Sequence, residues 1–180
     1  MASYYSEGYP KERIIYDEVI RKYHPEYKNM CFTQELKVND QVNSNHLNME
    51  YLLEETISIV GKLGQSNVYG EDYLDNSECK SSSTQQRKSI MCGRTGKRYN
   101  YEHLYTIGIK NLNRKKNLIR VVIYNKPKQK VDFFLFTLSE IEFDKEKSKH
   151  LNIYYNYKTD TYGRFEAYRK GTFEELCQKI

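Results

Sequence analysis

The stretch Gly70-Glu71-Asp72-Tyr73-Leu74-Asp75-Asn76-Ser77-Glu78-Cys79-Lys80-Ser81 decides how the chain is read. Asp75-Asn76 is a turn signal between two arms of alternating polarity, so residues 68–81 read as a β-hairpin. Side chains alternate faces along a strand, which sets Glu78 and Lys80 on one side and turns Cys79 toward a core as a small buried hydrophobe. With the chain folded back at the turn, Asp72 comes level with Cys79, and a modest twist or bulge brings its carboxylate beside that of Glu78. Two carboxylates and an ammonium then converge. Oxygen donors of this kind hold Mg²⁺, and a lysine beside them orients water or offsets developing negative charge, a set suited to phosphodiester hydrolysis. The acid-x-lysine tripeptide alone is weak: Glu35-Leu36-Lys37 has it too, and most such pairs are solvated surface charges.

Working outward, Met49, Leu52, Leu53, Thr56, Ile57, Ile59, Val60 and Leu63 recur at helical spacing until Gly64, which predicts a helix directly before the hairpin. Glu50 shares a face with Leu53, Ile57 and Val60 and so points inward, where an acid needs a partner; Glu54 is expected further toward solvent. Lys11 to Tyr23 reads as a shorter amphipathic helix, with Ile14, Ile15, Val19 and Ile20 on one side and Pro25 ending it. After the hairpin, Ser81 to Arg98 is polar and glycine-containing, a loop or weak helix. Tyr105 to Ile109, Leu118 to Tyr124, Val131 to Leu138 and Leu151 to Tyr157 are β-branched or aromatic runs and read as strands. The second and third form a hairpin whose tip, Asn125 to Lys130, carries three lysines. Thr172, followed by Glu174 and Glu175, opens a last short helix containing Phe173 and Leu176. The fold class is mixed α/β (α+β), a helix packed on a mixed sheet.

The 180 residues make one domain. A mean hydropathy of −0.86 coexists with 14% aromatic residues, 18 of them Tyr, and that many rings mark a folded chain. No run approaches the ~20 apolar residues that cross a bilayer, and Met1 to Pro10 lacks a secretory pattern. A cytoplasmic location with reduced Cys31, Cys79, Cys92 and Cys177 is expected, and no membrane partner. The cysteines lack zinc spacing. Gly93-Arg94-Thr95-Gly96-Lys97 lacks the P-loop pattern.

Charge is concentrated. Residues 1–79 balance at −7, residues 80–130 at +13 and residues 131–180 at −1. Within the basic block, Gln85, Gln86, Arg87, Lys88, Arg94, Lys97, Arg98, Asn100 and His103 interleave cations, which neutralise phosphates, with amides that read base edges. A solvated basic face is the plainer reading. His103 is either a base-contacting donor or a structural hydrogen-bonder. Lone histidines without metal-binding cysteines leave an HNH-type nuclease unsupported.

The helix, the Asp-Tyr-Leu-Asp-Asn run and the Glu78-Cys79-Lys80 tripeptide together resemble the PD-(D/E)XK nuclease superfamily. They are similar in particular to the active-site segment of the smallest orthodox type II restriction endonucleases. Length and a Tyr/Lys/Asn-rich character also look like the small enzymes that cut GCNGC. The resemblance covers about residues 45–83. It implies a restriction-endonuclease-like core with a catalytic hairpin, Asp72 and Glu78 as metal ligands, Lys80 positioning the attacking water, and Glu50 as a further ligand from the helix. Asp72 and Asp75 both fit the first position; Asp75 sits in the expected turn, where Asp is common for local reasons, so Asp72 is preferred. The resemblance further implies a single nuclease domain over residues 1–180, with residues 1–45 helical and dimer-forming, 46–83 the catalytic core, and 84–180 the DNA-recognition region and remaining sheet. It implies Mg²⁺, double-stranded DNA, a homodimer related by a twofold axis, and a companion DNA methyltransferase. The rival expectations are a non-catalytic nucleic-acid-binding protein and a structure-specific repair or junction nuclease.

Overall fold

The computed structural model describes residues 10–33, 46–66, 72–75, 77–84, 90–91, 96, 98–99, 103–110, 118–141 and 150–178. The first helical segment is α1 (Pro10–Ile15), which widens into a π-helical turn over Tyr16–Ile20. Its apolar stripe is buried, as the periodicity requires: Ile15, Tyr16, Val19 and Ile20 are at most 4% exposed. Pro25 opens a 3₁₀ turn, after which β1 (Cys31–Thr33) pairs in parallel with β2 (His46–Asn48).

Asn48 ends β2 and caps α2 (Met49–Gly61), its side chain accepting a hydrogen bond from the Tyr51 N–H at 3.2 Å. The helix stops three residues before the Gly64 expected from the apolar pattern, because Lys62 takes the left-handed conformation (φ 53°) and closes the last turn. Gly61 is where the chain crosses most closely: a Cβ there would lie 2.2 Å from the Cys177 carbonyl oxygen. That contact fastens the C-terminal segment to the end of α2.

The central sheet runs β10–β8–β7–β3, comprising β3 (Glu78–Ser83), β7 (Leu118–Asn125), β8 (Lys130–Thr137) and β10 (Arg169–Lys170). Two short strands, β4 (Ile90–Met91) and β5 (Arg98–Tyr99), pair with each other. β6 (His103–Lys110) and β9 (His150–Asn156) form an antiparallel ribbon with a bulge between Tyr105 and Ile107. The expected strands over 105–109, 118–124, 131–138 and 151–157 are therefore present, and the hairpin tip is a turn over 126–129 whose lysines, Lys126 and Lys128, are exposed together with Lys130 at the start of β8. Thr172 caps α3 (Phe173–Leu176), accepting from the Glu175 N–H at 3.2 Å.

The expected hairpin over 68–81 is corrected. Residues 67–71 and 76 lie outside the described residues; Tyr73 forms only an isolated bridge to Gln65, and β3 pairs in parallel with β7, over forty residues downstream. Where a hairpin's first arm would stand, the Asp72 and Tyr73 N–H groups both donate to the Ser77 carbonyl, at 3.1 and 3.3 Å, closing a compact loop.

β7 and β8 are buried on both faces. On one face Val122, Val131, Phe133 and Leu135 join Leu52, Leu53 and Ile57 of α2, the α1 stripe, and Phe173 and Leu176 of α3. On the other, Ile119, Val121, Ile123, Phe134 and Phe136 pack on Leu151, Ile153 and Tyr155 of β9 and on Tyr162 and Phe165. The molecule is thus a mixed sheet between a helical layer and a ribbon layer. No helix among the described residues is long and apolar enough to cross a membrane.

Candidate active site

At the β3 edge of the sheet, α2, the 72–77 loop and β3 enclose a cleft of about 60 Å³, lined by Glu50, Leu53, Glu54, Asp72, Cys79, Lys80 and Ser81. That is room for a few water molecules. The helix supplies Glu50 and Glu54, four residues apart and so one above the other on the same face. The loop supplies Asp72, and the strand Lys80.

Asp72 is fixed by its neighbours on both sides. Its own N–H is bound to the Ser77 carbonyl, and its Oδ2 accepts from the Cys79 N–H at 2.7 Å. Asp75 faces elsewhere. It closes a local turn, accepting from the Ser77 N–H at 3.0 Å and from the Ser77 hydroxyl, and lies 4.0 Å from buried Arg120. Of the two aspartates that fit the first position, Asp72 lines the cleft and Asp75 braces the loop.

Glu78 and Lys80 lie on one side of β3, as strand alternation requires, and form an ion pair at 2.7 Å. Glu78 is buried, while the lysine side chain keeps 37% of its exposure. Cys79 between them is 7% exposed and belongs to the helix-side core; burial pushes its thiol well above the usual range, with the Asp72 and Glu54 charges adding to the effect. Such a thiol is packing material and not a nucleophile.

Glu54 corrects the sequence expectation. Placed toward solvent by its position on the helix, it lines the cleft instead, and its main-chain carbonyl accepts from the Tyr73 hydroxyl at 3.1 Å. Burial first, and then the charges of Asp72 and Glu50, push its carboxyl up to about 7, against the opposing pull of Lys80. The signal that could have found it was the i, i+4 spacing to Glu50, which stacks the two acids whichever way the face turns.

A pH dependence follows. A carboxyl whose value rises from 4.5 to about 7 takes up a proton on folding in that window, so stability falls as pH rises through it. Glu54→Gln resembles the protonated form. Thermal midpoints of the two proteins, compared without divalent cations, are expected to coincide below pH 4.5 and separate above about 7, the variant melting higher. A gap of constant size across the range would show that Glu54 does not titrate against its neighbours.

The carboxylates that line the cleft come from two elements, Glu50 and Glu54 from α2 and Asp72 from the loop; they are the ligand type that Mg²⁺ takes, and their crowding is a repulsion that a bound cation relieves, while Glu78, on the other side of β3 from Cys79, is not part of the lining. Yet among the described residues no three His, Cys, Asp or Glu side chains are gathered as a finished metal site. The donor set fits a hard divalent cation in kind, with Glu78 held by Lys80.

The residues expected to contact DNA fall mostly elsewhere. Gln85, Gln86, Arg87, Lys88, Lys97, Arg94 and Asn100 lie outside the described residues; Arg98 and His103 are placed by their main chain on β5 and β6. Cys31, Cys79 and Cys177 are free thiols, and Cys92 lies outside the described residues. No family model, curated protein or solved structure matches this chain.

Proposed function

We propose that the protein is a Mg²⁺-dependent endonuclease of double-stranded DNA, of the type II restriction class, with a restriction-endonuclease-like core formed by α2, the 72–77 loop and β3. The observation that carries this reading is the shared cleft: Asp72, Glu50 and Glu54 line it with Lys80, and Lys80 is paired to Glu78. Three acids and a half-exposed lysine sharing one cleft at a sheet edge suit attack on a phosphodiester better than an isolated surface charge pair does, because the burial and mutual repulsion that push the Glu54 carboxyl up to about 7 are relieved by a bound cation.

In this reading Asp72 and one of the helix acids, Glu50 or Glu54, would hold the cation, with Glu78 joining them on leaving its pair with Lys80; the cation would polarise the scissile phosphate and lower the pKa of water. Lys80, ion-paired to Glu78 and partly exposed, is placed to offer donors to a water or to a phosphate oxygen as negative charge develops. Asp72 enters already oriented by the Cys79 N–H, which limits the entropy lost when it binds. Glu54, its carboxyl pushed up to about 7 by burial and then by the charges of Asp72 and Glu50, would give up its proton as positive charge arrives. The basic block over residues 80–130 supplies affinity for the DNA backbone. A homodimer, with two clefts for two strands, and a companion methyltransferase complete the proposal.

Incubating the purified protein with plasmid DNA, with Mg²⁺ and with EDTA, tests it directly. Discrete bands that require the metal are expected. Uncut DNA retarded on the gel would favour a non-catalytic binding protein, and cutting confined to junctions or lesions would favour a repair nuclease.

A further inference from the structure

The β9 strand of the β6–β9 ribbon has two unlike faces. Leu151, Ile153 and Tyr155 of β9 are buried against the sheet, whereas the alternating residues Asn152, Tyr154 and Asn156 line an open pocket of about 250 Å³ on the other side. Tyr162 and Phe165 contribute to this pocket, and exposed Arg164 stands at it. Tyr162 and Phe165 are core rings that floor the pocket, and the Asn156 amide oxygen accepts from the Lys158 and Thr159 N–H groups; Asn152, Tyr154 and Arg164 at its rim have the chemistry of a base-reading site, since Asn pairs bidentately with adenine, Arg with guanine, and a ring packs on bases or sugars.

Register and charge supply the partner. Opposite Asn152, Tyr154 and Asn156, β6 places Gly108, Tyr105 and His103, and at the end of the ladder Lys110 stands opposite His150. β6 runs through the block with a balance of +13, so cations precede and follow it in sequence, and Lys158 and Arg164 add exposed charge near the other end of β9. The ribbon also packs on the sheet face that carries Ile119 and Val121, the register partners of Glu78 and Lys80 respectively, and β6 runs beside β3. We infer that the outer face of the β6–β9 ribbon is the DNA-recognition surface, entering the major groove of a duplex with Asn152, Tyr154 and Arg164 toward the base edges. A two-stranded ribbon fits a groove about 12 Å wide. This rests on the nuclease reading only for the choice of duplex DNA as the polyanion; it moves the base-reading role from the 85–103 segment to the ribbon.

The test is retardation of the duplex DNA that the full chain selects from a randomised pool, and of its single strand, in EDTA over a series of salt concentrations. The double variant Asn152→Ala, Arg164→Ala removes two exposed side chains, so folding, checked by its thermal midpoint, is preserved. It is expected to lose duplex affinity by roughly ten- to a hundred-fold, the worth of a lost base contact. Wild-type binding by the double variant, no binding of duplex by the wild type, or tighter binding of the single strand would each overturn the inference. Failure of the nuclease reading is told apart: the double variant then loses binding while no protein in the set cuts DNA with Mg²⁺.

Discussion

Asp72→Ala is expected to abolish metal-dependent DNA cleavage while leaving DNA binding intact or tighter. The two halves of that result have separate causes. Asp72 is the loop's contribution to the cleft, and its replacement removes a ligand from a set with no close substitute: Asp75 is turned away, engaged with Ser77 and Arg120. Residues that act together on one reaction fail together, so the loss is expected at about 10³-fold or more in rate. Binding, by contrast, comes from the basic block, and removing a carboxylate near a phosphate lowers repulsion. The same substitution frees the Cys79 N–H from its acceptor at 2.7 Å, a stability cost of about 1–3 kcal/mol for a buried donor. Asp72→Asn separates the effects, because the amide oxygen still accepts that hydrogen bond while the charge is gone. Cleavage by Asp72→Asn at near wild-type rate would remove Asp72 from the chemistry and leave it a loop brace.

The sequence carried local geometry well and long-range pairing poorly. The helix beginning at Met49, the 118–137 hairpin and the Thr172 cap were legible because each is set by residues within a turn or two: apolar spacing, a β-branched run, a hydroxyl before two acids; the Asn48 cap and the stop at Gly61 were not read. Alternation likewise separated Cys79 from Glu78 and Lys80. The partner of β3 was not legible. Alternating polarity reports which face of a strand is buried but says nothing of which strand lies beside it, and the parallel partner, β7, is forty residues away. A turn signal at Asp75-Asn76 was read as a hairpin when it serves a compact loop whose main chain closes on Ser77. Glu54 was misjudged for a related reason. Its position on the helix wheel was right, but the loop that rises over that edge of α2 converts a boundary position into a cleft wall.

Arg120→Met is expected to cost about 3–5 kcal/mol of folding stability, the scale for breaking a buried charged network by removing one partner. Arg120 is fully buried in β7, on the helix side of the sheet beside Cys79. Its Nε donates to the Leu176 carbonyl at 2.8 Å, one terminal nitrogen to the Gln178 carbonyl at 2.9 Å, and the other to the Ser77 hydroxyl at 2.6 Å. Asp75 stands 4.0 Å away as the counter-charge, and the Tyr73 ring lies 5.7 Å from the guanidinium carbon. A planar fork is what reaches all three acceptors at once; methionine fills much of the volume and satisfies none of them. Two carbonyls at the end of α3 and the loop hydroxyl are then stranded in the core. The C-terminal segment held here is the one packed on Gly61, so the loss also loosens the far end of α2 from the sheet. For a chain of this size the fall in thermal midpoint is about 10 °C. Arg120→Lys, which keeps the charge and discards the fork, is expected to recover less than half of it. Ser77→Ala is milder, about 1–2 kcal/mol, because the guanidinium retains both carbonyls. Its effect on cleavage is the sharper test of bracing: the Ser77 hydroxyl joins Arg120 to Asp75, and through the Ser77 carbonyl the same residue holds the Asp72 N–H. If Arg120→Met unfolds within about 1 kcal/mol of the wild type in urea, on the scale of an ordinary point substitution, the buried guanidinium is not what ties the acidic loop to the C-terminal segment.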